Sequence, residues 1–204
     1  MAYIISADDI KESLPGYDPE HSEKFHHDSA RIADKQYQDC LKHRQEKTVI
    51  LMSGGTASGK TEYVSAYLKN REVVVFDGTL PSFEGASIKV KRALKYNKKV
   101  EIHAVMPLDL RRAFIAFLNR DRKFPPEHFF ATHSQCRKTL LEIAQNIQDI
   151  KIDVYFSETA INKSKIDTKF TKLWVANRGM LIEFLNDIQY TEDEIKRMQG
   201  IYDN

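Results

Sequence analysis

The chain has 204 residues, of which 42% are hydrophobic and 29% charged, with a formal net charge of +2. That length and composition suit one soluble globular domain, at most with a small appendage, and exclude a long multidomain architecture. The near-neutral charge argues against bulk polyanion binding, so any basic surface is local.

The two cysteines, Cys40 and Cys136, lie far apart without a metal-type spacing and read as buried free thiols. The N-terminus has neither the basic region nor the apolar run of a signal peptide, and no segment approaches the length needed to span a bilayer. A reducing cytoplasm is the expected location.

Short apolar runs closed by turn or polar residues read as strands, and the stretches between them as helices. The first strand is "YIIS", Tyr3–Ser6, followed by Asp8 and Asp9 ahead of a short helix. A carboxylate here could accept the proton of a phosphoryl-acceptor hydroxyl, or either acid could cap the helix. A helix is expected over His21–Gln45. It holds His21, His26, His27 and Asp28, but adjacent helical residues point about 100° apart, so His26 and His27 cannot readily share an ion. An exposed loop or a substrate-facing polar helix start fits them better.

The second strand, Thr48–Ser53, runs into Gly54-Gly55-Thr56-Ala57-Ser58-Gly59-Lys60-Thr61, and a helix is expected over Lys60–Leu68. This satisfies G-x-x-x-x-G-K-[ST] in full and in its proper context, strand before and helix after. Glycines let the backbone curl so that its N–H groups face phosphate oxygens, and the helix N-terminus adds dipole and free donors. Lys60 can reach the β and γ phosphates, and the Thr61 hydroxyl can ligate Mg²⁺.

A third strand, Val73–Phe76, ends at Asp77. Ligands bind at this edge of a parallel sheet, so Asp77 could hold Mg²⁺ through water or bind a substrate hydroxyl; it could also simply open a turn before Gly78. The helix Ala86–Tyr96 and its exit carry Lys89, Lys91, Arg92, Lys95, Lys98 and Lys99 opposite an apolar side. That is a solvated outer face, or a dock for an acidic partner or nucleic acid. The fourth strand is Val100–Val105. After a helix over Asp109–Arg120, the cations Arg120, Arg122 and Lys123 precede Pro125-Pro126, which close one helix and open the next over Pro126–Gln148. These cations could close over a transferring phosphoryl group, or be a solvated helix end. The fifth strand is Ile152–Phe156. A hairpin is expected within Lys165–Gly179, then helix from Met180, with Tyr190–Met198 a capped, charge-paired surface helix.

Strands alternating with helices imply an α/β fold: a P-loop kinase-like parallel five-stranded sheet with helices on both faces, plus a small C-terminal hairpin and helix. One domain divides into a base-bearing βα unit (1–46), a segment with phosphate loop, acidic strand and lid (47–160), and an appendage (161–204). A GTPase would also need Asn-Lys-x-Asp; the nearest match, Asn162-Lys163-Ser164-Lys165, ends in the wrong charge. The chain is too short for a motor module with its own lid domain, which leaves a small kinase.

These residues together resemble the zeta toxin family of P-loop kinases, which phosphorylates UDP-N-acetylglucosamine and related UDP-sugars. "IISADDIKESLPGYD" is similar to the family's segment carrying the catalytic base, at Asp8. "VVFDGTL" is similar to its acidic, substrate-contacting segment, at Asp77 with Thr79. "NRDRKFPPEH" is similar to its arginine lid, at Arg122 and Arg120, and "SARIADKQY" puts Asp34 where the family has a substrate-binding acid. The likeness covers roughly residues 1–160. It implies Mg²⁺ and ATP as cofactors, a nucleotide-linked acceptor, and an antitoxin or inhibitor protein as partner, with nucleic acid ranked lower and no membrane.

One departure is topological: the base-bearing unit precedes the phosphate-loop unit instead of following it. The swap preserves the active-site edge if the base strand lies at the sheet edge, the Asp77 strand next and the phosphate-loop strand third, because right-handed crossovers then return each helix to its face. The expectation is an ATP-dependent kinase, with Lys60 and the loop amides on ATP, Thr61 on Mg²⁺, Asp8 as base, Asp77, Thr79 and Asp34 on the acceptor, and Arg120 and Arg122 on developing charge. The alternatives are a polynucleotide 5′-hydroxyl kinase, which would need the 89–99 basic helix beside the cleft, and a nucleotide-gated module without turnover.

Overall fold

The computed structural model describes residues 1–162 and 165–201. Positions 163 and 164, inside the near-match to a base-reading motif, therefore lie outside the described residues, as do 202–204 of the appendage.

The chain begins with β1 (Tyr3–Ser6) and α1 (Ala7–Glu12), a 3₁₀ segment (Pro19–Phe25) and α2 (His26–His43). Then come β2 (Thr48–Ser53), α3 (Lys60–Tyr63) running into a π turn (Val64–Leu68), β3 (Val74–Asp77) and α4 (Phe83–Lys95). Next are β4 (Lys99–Pro107), α5 (Leu110–Leu118), α6 (Pro126–Asn146), β5 (Lys151–Asn162), β6 (Lys165–Lys172), α7 (Arg178–Asp187) and α8 (Glu192–Met198).

The sheet order is β1-β3-β2-β4-β5-β6. The first five strands are parallel and β6 is antiparallel to β5. The strand that leads to Asp8 is thus at the edge, the Asp77 strand next and the strand before Gly54–Thr61 third, the arrangement the swapped order required. Three connections step across the sheet in one direction and only β2-to-β3 steps back. Right-handed crossovers therefore put α2, α4 and α6 on one face and α3 alone on the other. The larger core joins Ile5, Tyr37, Val49, Leu51, Phe76, Val90, Ile102 and Leu140; the smaller, under α3, joins Ile50, Met52, Val64, Leu68, Val75 and Val105.

Two boundaries differ from expectation. The sheet has six strands, not five: β5 continues well past Phe156, and the hairpin is β5 with β6, not one enclosed in Lys165–Gly179. Alternating residues on both arms give each strand a partner, while the chain after Lys172 leads to Asn177, whose side chain caps α7. The helix expected from His21 begins at His26, because Asp18 caps a 3₁₀ turn at Pro19 and His21 has non-helical dihedrals. The last helix, α8, is the expected capped surface helix, with the capping box of Thr191 and Glu194, and it seats Ile195 in the cluster with Phe114, Phe117 and Phe129. Cys40 and Cys136 are buried free thiols. Among the described residues, no helix is long and apolar enough to cross a membrane.

Candidate active site

The phosphate loop fills the gap between β2 and α3, and its glycines are set by close contacts. Gly54 has φ +141°, and a Cβ there would fall 2.2 Å from the Val105 carbonyl oxygen. Gly59, with φ +89°, makes the left-handed step into α3. Ala57 adopts φ 59°, uncommon for a residue with a side chain, at the crest of the loop. The Lys60 ammonium curls back to donate to the carbonyls of Gly54, at 2.8 Å, and Gly55, at 2.9 Å. Thr61 is exposed in the first turn of α3.

Side chains remote in sequence hold this loop. Ser157 at β5 donates its hydroxyl to the Ser58 carbonyl at 2.7 Å. From α6, Thr132 Oγ1 accepts the Thr56 N–H at 3.1 Å, and His133 Nε2 lies 2.9 Å from the Thr56 carbonyl. On the opposite side, the Tyr63 hydroxyl meets His103 Nδ1 at 3.0 Å, and His103 Nε2 meets Glu101 at 3.2 Å, which anchors α3 to β4. Sequence reasoning missed these supports. The signal available was a polar residue at buried helix or strand spacing, which becomes informative only once the fold gives it a neighbour.

The acids come from the two strands beside β2. The register pairs Ser6 with Asp77, so the C-terminal ends of β1 and β3 are level. Ser6, not Asp8 or Asp9, caps α1, accepting the Asp9 N–H at 3.1 Å. The Asp8 carboxylate is thereby left to side chains: Oδ1 lies 3.3 Å from Lys11 Nζ and Oδ2 3.1 Å from Arg122 Nη1. Burial raises its pKa, but Arg122 and then Lys11 outweigh burial and hold the carboxyl below its ordinary value. Lys11 is itself buried, its ammonium over the Phe124 ring at 4.9 Å.

Asp77 behaves in the opposite way. Burial pushes it up to about 6 against the attraction of Lys60, helped by the negative charges of Asp8, Asp9 and Glu62. Lys60 is lowered by burial, with Asp77 the strongest opposing influence, and Asp8 and Arg120 also act on it. Arg120 is lowered by burial and by Arg122, and raised by Asp8 and Glu62. Asp8, Lys60, Asp77, Arg120 and Arg122 thus share one electrostatic neighbourhood. The lid between α5 and α6 is stitched to the first unit, where the Lys123 N–H donates to the Pro19 carbonyl at 2.9 Å.

Thr79 sits at the same edge, its carbonyl 3.4 Å from the Ser53 hydroxyl. Asp34 does not join these residues by any bond; it forms an ion pair with Lys89 of α4 at 2.7 Å. The basic run of α4 descends from the edge that carries Asp77 to the opposite one, where Lys99 pairs with Thr48 at the start of β2. Two histidines border Asp8. His26 is lowered by burial and by Lys11, while Asp8 pulls it up; His128, stacked on Phe124, is pushed down to about 4 by burial and by His26. Both are neutral near pH 7. Among the described residues, no group of three or more His, Cys, Asp or Glu could hold a metal ion.

The loop fits a polyphosphate: its glycines leave no room for side chains where backbone donors must converge, and Lys60 already turns its ammonium inward. A divalent cation fits only as a companion of that ligand, with Thr61 as the protein oxygen closest to hand in the motif and phosphate oxygens as the rest of its shell. No protein-family model matches the chain, and no curated protein matches it.

Proposed function

We propose that this protein is an ATP-dependent kinase that phosphorylates a hydroxyl of a nucleotide-linked small molecule, such as a UDP-sugar, with zeta-like growth poisoning as its biological use. The observation that carries the reading is that Asp77, Asp8 and Arg120 all act on Lys60 while Arg122 pairs with Asp8 at 3.1 Å, the acids coming from the ends of β3 and β1 on one side of β2.

In this reading the loop amides and Lys60 bind the donor's phosphates, and Thr61 helps to hold Mg²⁺, which neutralises charge on them when bound. Asp77 orients the acceptor. Asp8 takes the hydroxyl proton as the acceptor oxygen forms its bond to the terminal phosphorus and the bond to the nucleoside diphosphate breaks. Arg120 and Arg122 offset charge on the transferred group. The N-terminal unit serves the same site as the loop, although it comes first in the chain.

The polynucleotide reading is weaker, because the basic residues of α4 lead away from this edge and Lys89 is engaged by Asp34. The experiment is incubation of the protein with Mg-ATP and a metabolite pool, followed by mass spectrometry. A phosphate adduct on a nucleotide-linked hydroxyl is expected. ATP binding without any adduct would reduce the protein to a nucleotide-gated module.

A further inference from the structure

Helix α6 passes under the phosphate loop and buries Thr132, His133, Cys136 and Arg137 there. The His133 ring fills the space that Gly55 lacks: a Cβ on Gly55 would fall 2.4 Å from it. Its two nitrogens have different partners. Nε2 lies 2.9 Å from the Thr56 carbonyl, which can only accept, so Nε2 carries the proton. Nδ1 lies 3.4 Å from Arg137 Nη1, which can only donate, so Nδ1 offers its lone pair. The two contacts select one neutral tautomer. Burial first, and then Arg137, push the ring down to about 3, so it stays neutral at any working pH.

Arg137 is only 3% exposed. Nη1 donates to the His133 carbonyl at 2.7 Å, the guanidinium lies over the Tyr190 ring at 5.5 Å, and Nε is buried without a hydrogen-bond partner. None of these contacts carries a negative charge, and a buried cation without one is costly to keep. The C-terminal segment seals it in, since Gln189 donates to the Arg137 carbonyl at 3.1 Å. A polyphosphate in the adjoining loop would supply the missing charge.

We propose that Arg137 is a positioning residue for the donor's polyphosphate: it fixes the His133 tautomer that grips the Thr56 carbonyl, and its unpaired buried charge favours the anion in the loop. The inference rests on the reading that this loop binds a nucleoside triphosphate. It also gives the C-terminal helices a task, that of keeping water from Arg137.

The test uses the full chain, calorimetry with Mg-ADP and with tripolyphosphate, and ¹⁵N NMR of the histidine rings. Arg137→Met should raise both dissociation constants about tenfold or more and turn His133 into a tautomer mixture. Arg137→Lys, which keeps a donor and the charge, should return both constants to within about threefold of the parent. If the Met variant does not fold, Arg137→Gln replaces it. With donors but no charge, it should weaken both ligands about fivefold or more while the tautomer stays fixed. A folded Met or Gln variant that binds both ligands like the parent overturns the proposal, as does an Nδ1–H tautomer of His133 in the parent. A parent protein that binds neither ligand instead sinks the phosphate-loop reading, and this inference with it.

Discussion

Arg122 rests on Asp8: Nη1 of the lid residue lies 3.1 Å from Oδ2 of the acid in α1, and 3.5 Å from Glu12 of the same helix. A carboxylate held between this guanidinium and Lys11 is a poor proton acceptor, because both cations stabilise its charged form. On the proposed kinase reading, movement of Arg122 toward the transferring group releases Asp8 for the acceptor proton. Asp8→Asn is therefore expected to lower kcat by about 10²–10⁴-fold while leaving the dissociation constant for Mg-ADP within about threefold. Single-turnover kinetics beside nucleotide titration check this, and an unchanged kcat would remove Asp8 from the chemistry.

The pH dependence of Arg122→Gln follows from the same contact. The folded-state pKa of Asp8 is depressed, so its contribution to stability is present above the ordinary carboxylate value and fades as pH falls through the lowered one. Removing Arg122 lets the carboxyl pKa rise, and the acid limb of kcat/KM should move to higher pH. The Asp8 side chain is half exposed, so the stability loss at neutral pH should stay below about 1 kcal/mol and vanish in acid. An acid limb at the parent position would show that Arg122 does not govern Asp8.

Asp77 should give the reverse profile. Burial holds its folded pKa at about 6, above the ordinary carboxylate value, so the folded state holds the proton more tightly and stability declines as pH rises from about 4 to 6. Asp77→Asn removes that decline, gaining at most about 3 kcal/mol above pH 7 by linkage. On the proposed reading, in which Asp77 orients the acceptor, it should also lower kcat/KM for the acceptor by about tenfold or more. Thermal unfolding from pH 4 to 8 checks the first part: a variant whose stability parallels the parent throughout would contradict it.

Much of this site was legible because local chemistry and fold agree there. The Gly54–Thr61 loop, the strand ending at Asp77 and the Pro125–Pro126 break each carry their signal within a few residues. The place of β1 at the sheet edge was a condition of the swapped order and not a consequence of any residue, and the strand order meets it. What was illegible depended on distance in the chain. Ser157, Thr132 and His133 contact residues of the loop, 56 and 58, that lie far away in sequence, and nothing in their own neighbourhoods marks them. Capping by Ser6 instead of Asp8 or Asp9 was equally undetermined, since all three residues can cap and only the backbone path selects among them. Asp34 shows the converse: a fitting acid in sequence, it is held by Lys89, which also covers the Phe76 ring at 4.7 Å.

The adjoining glycines of the loop should fail for different reasons, which a double-mutant cycle can separate. At Gly54 an added Cβ meets the Val105 backbone oxygen at 2.2 Å, in a left-handed conformation that L-residues resist. At Gly55 the obstacle is the His133 ring, a side chain that can be removed. Gly54→Ala should thus abolish Mg-ADP binding whether or not His133 is present. Gly55→Ala should weaken binding about tenfold or more alone, and recover part of it with His133→Ala, a coupling of about 1–2 kcal/mol. The recovery will be incomplete, because the same truncation deletes the bond to the Thr56 carbonyl. Strict additivity at Gly55 would mean that His133 does not pack where the loop turns.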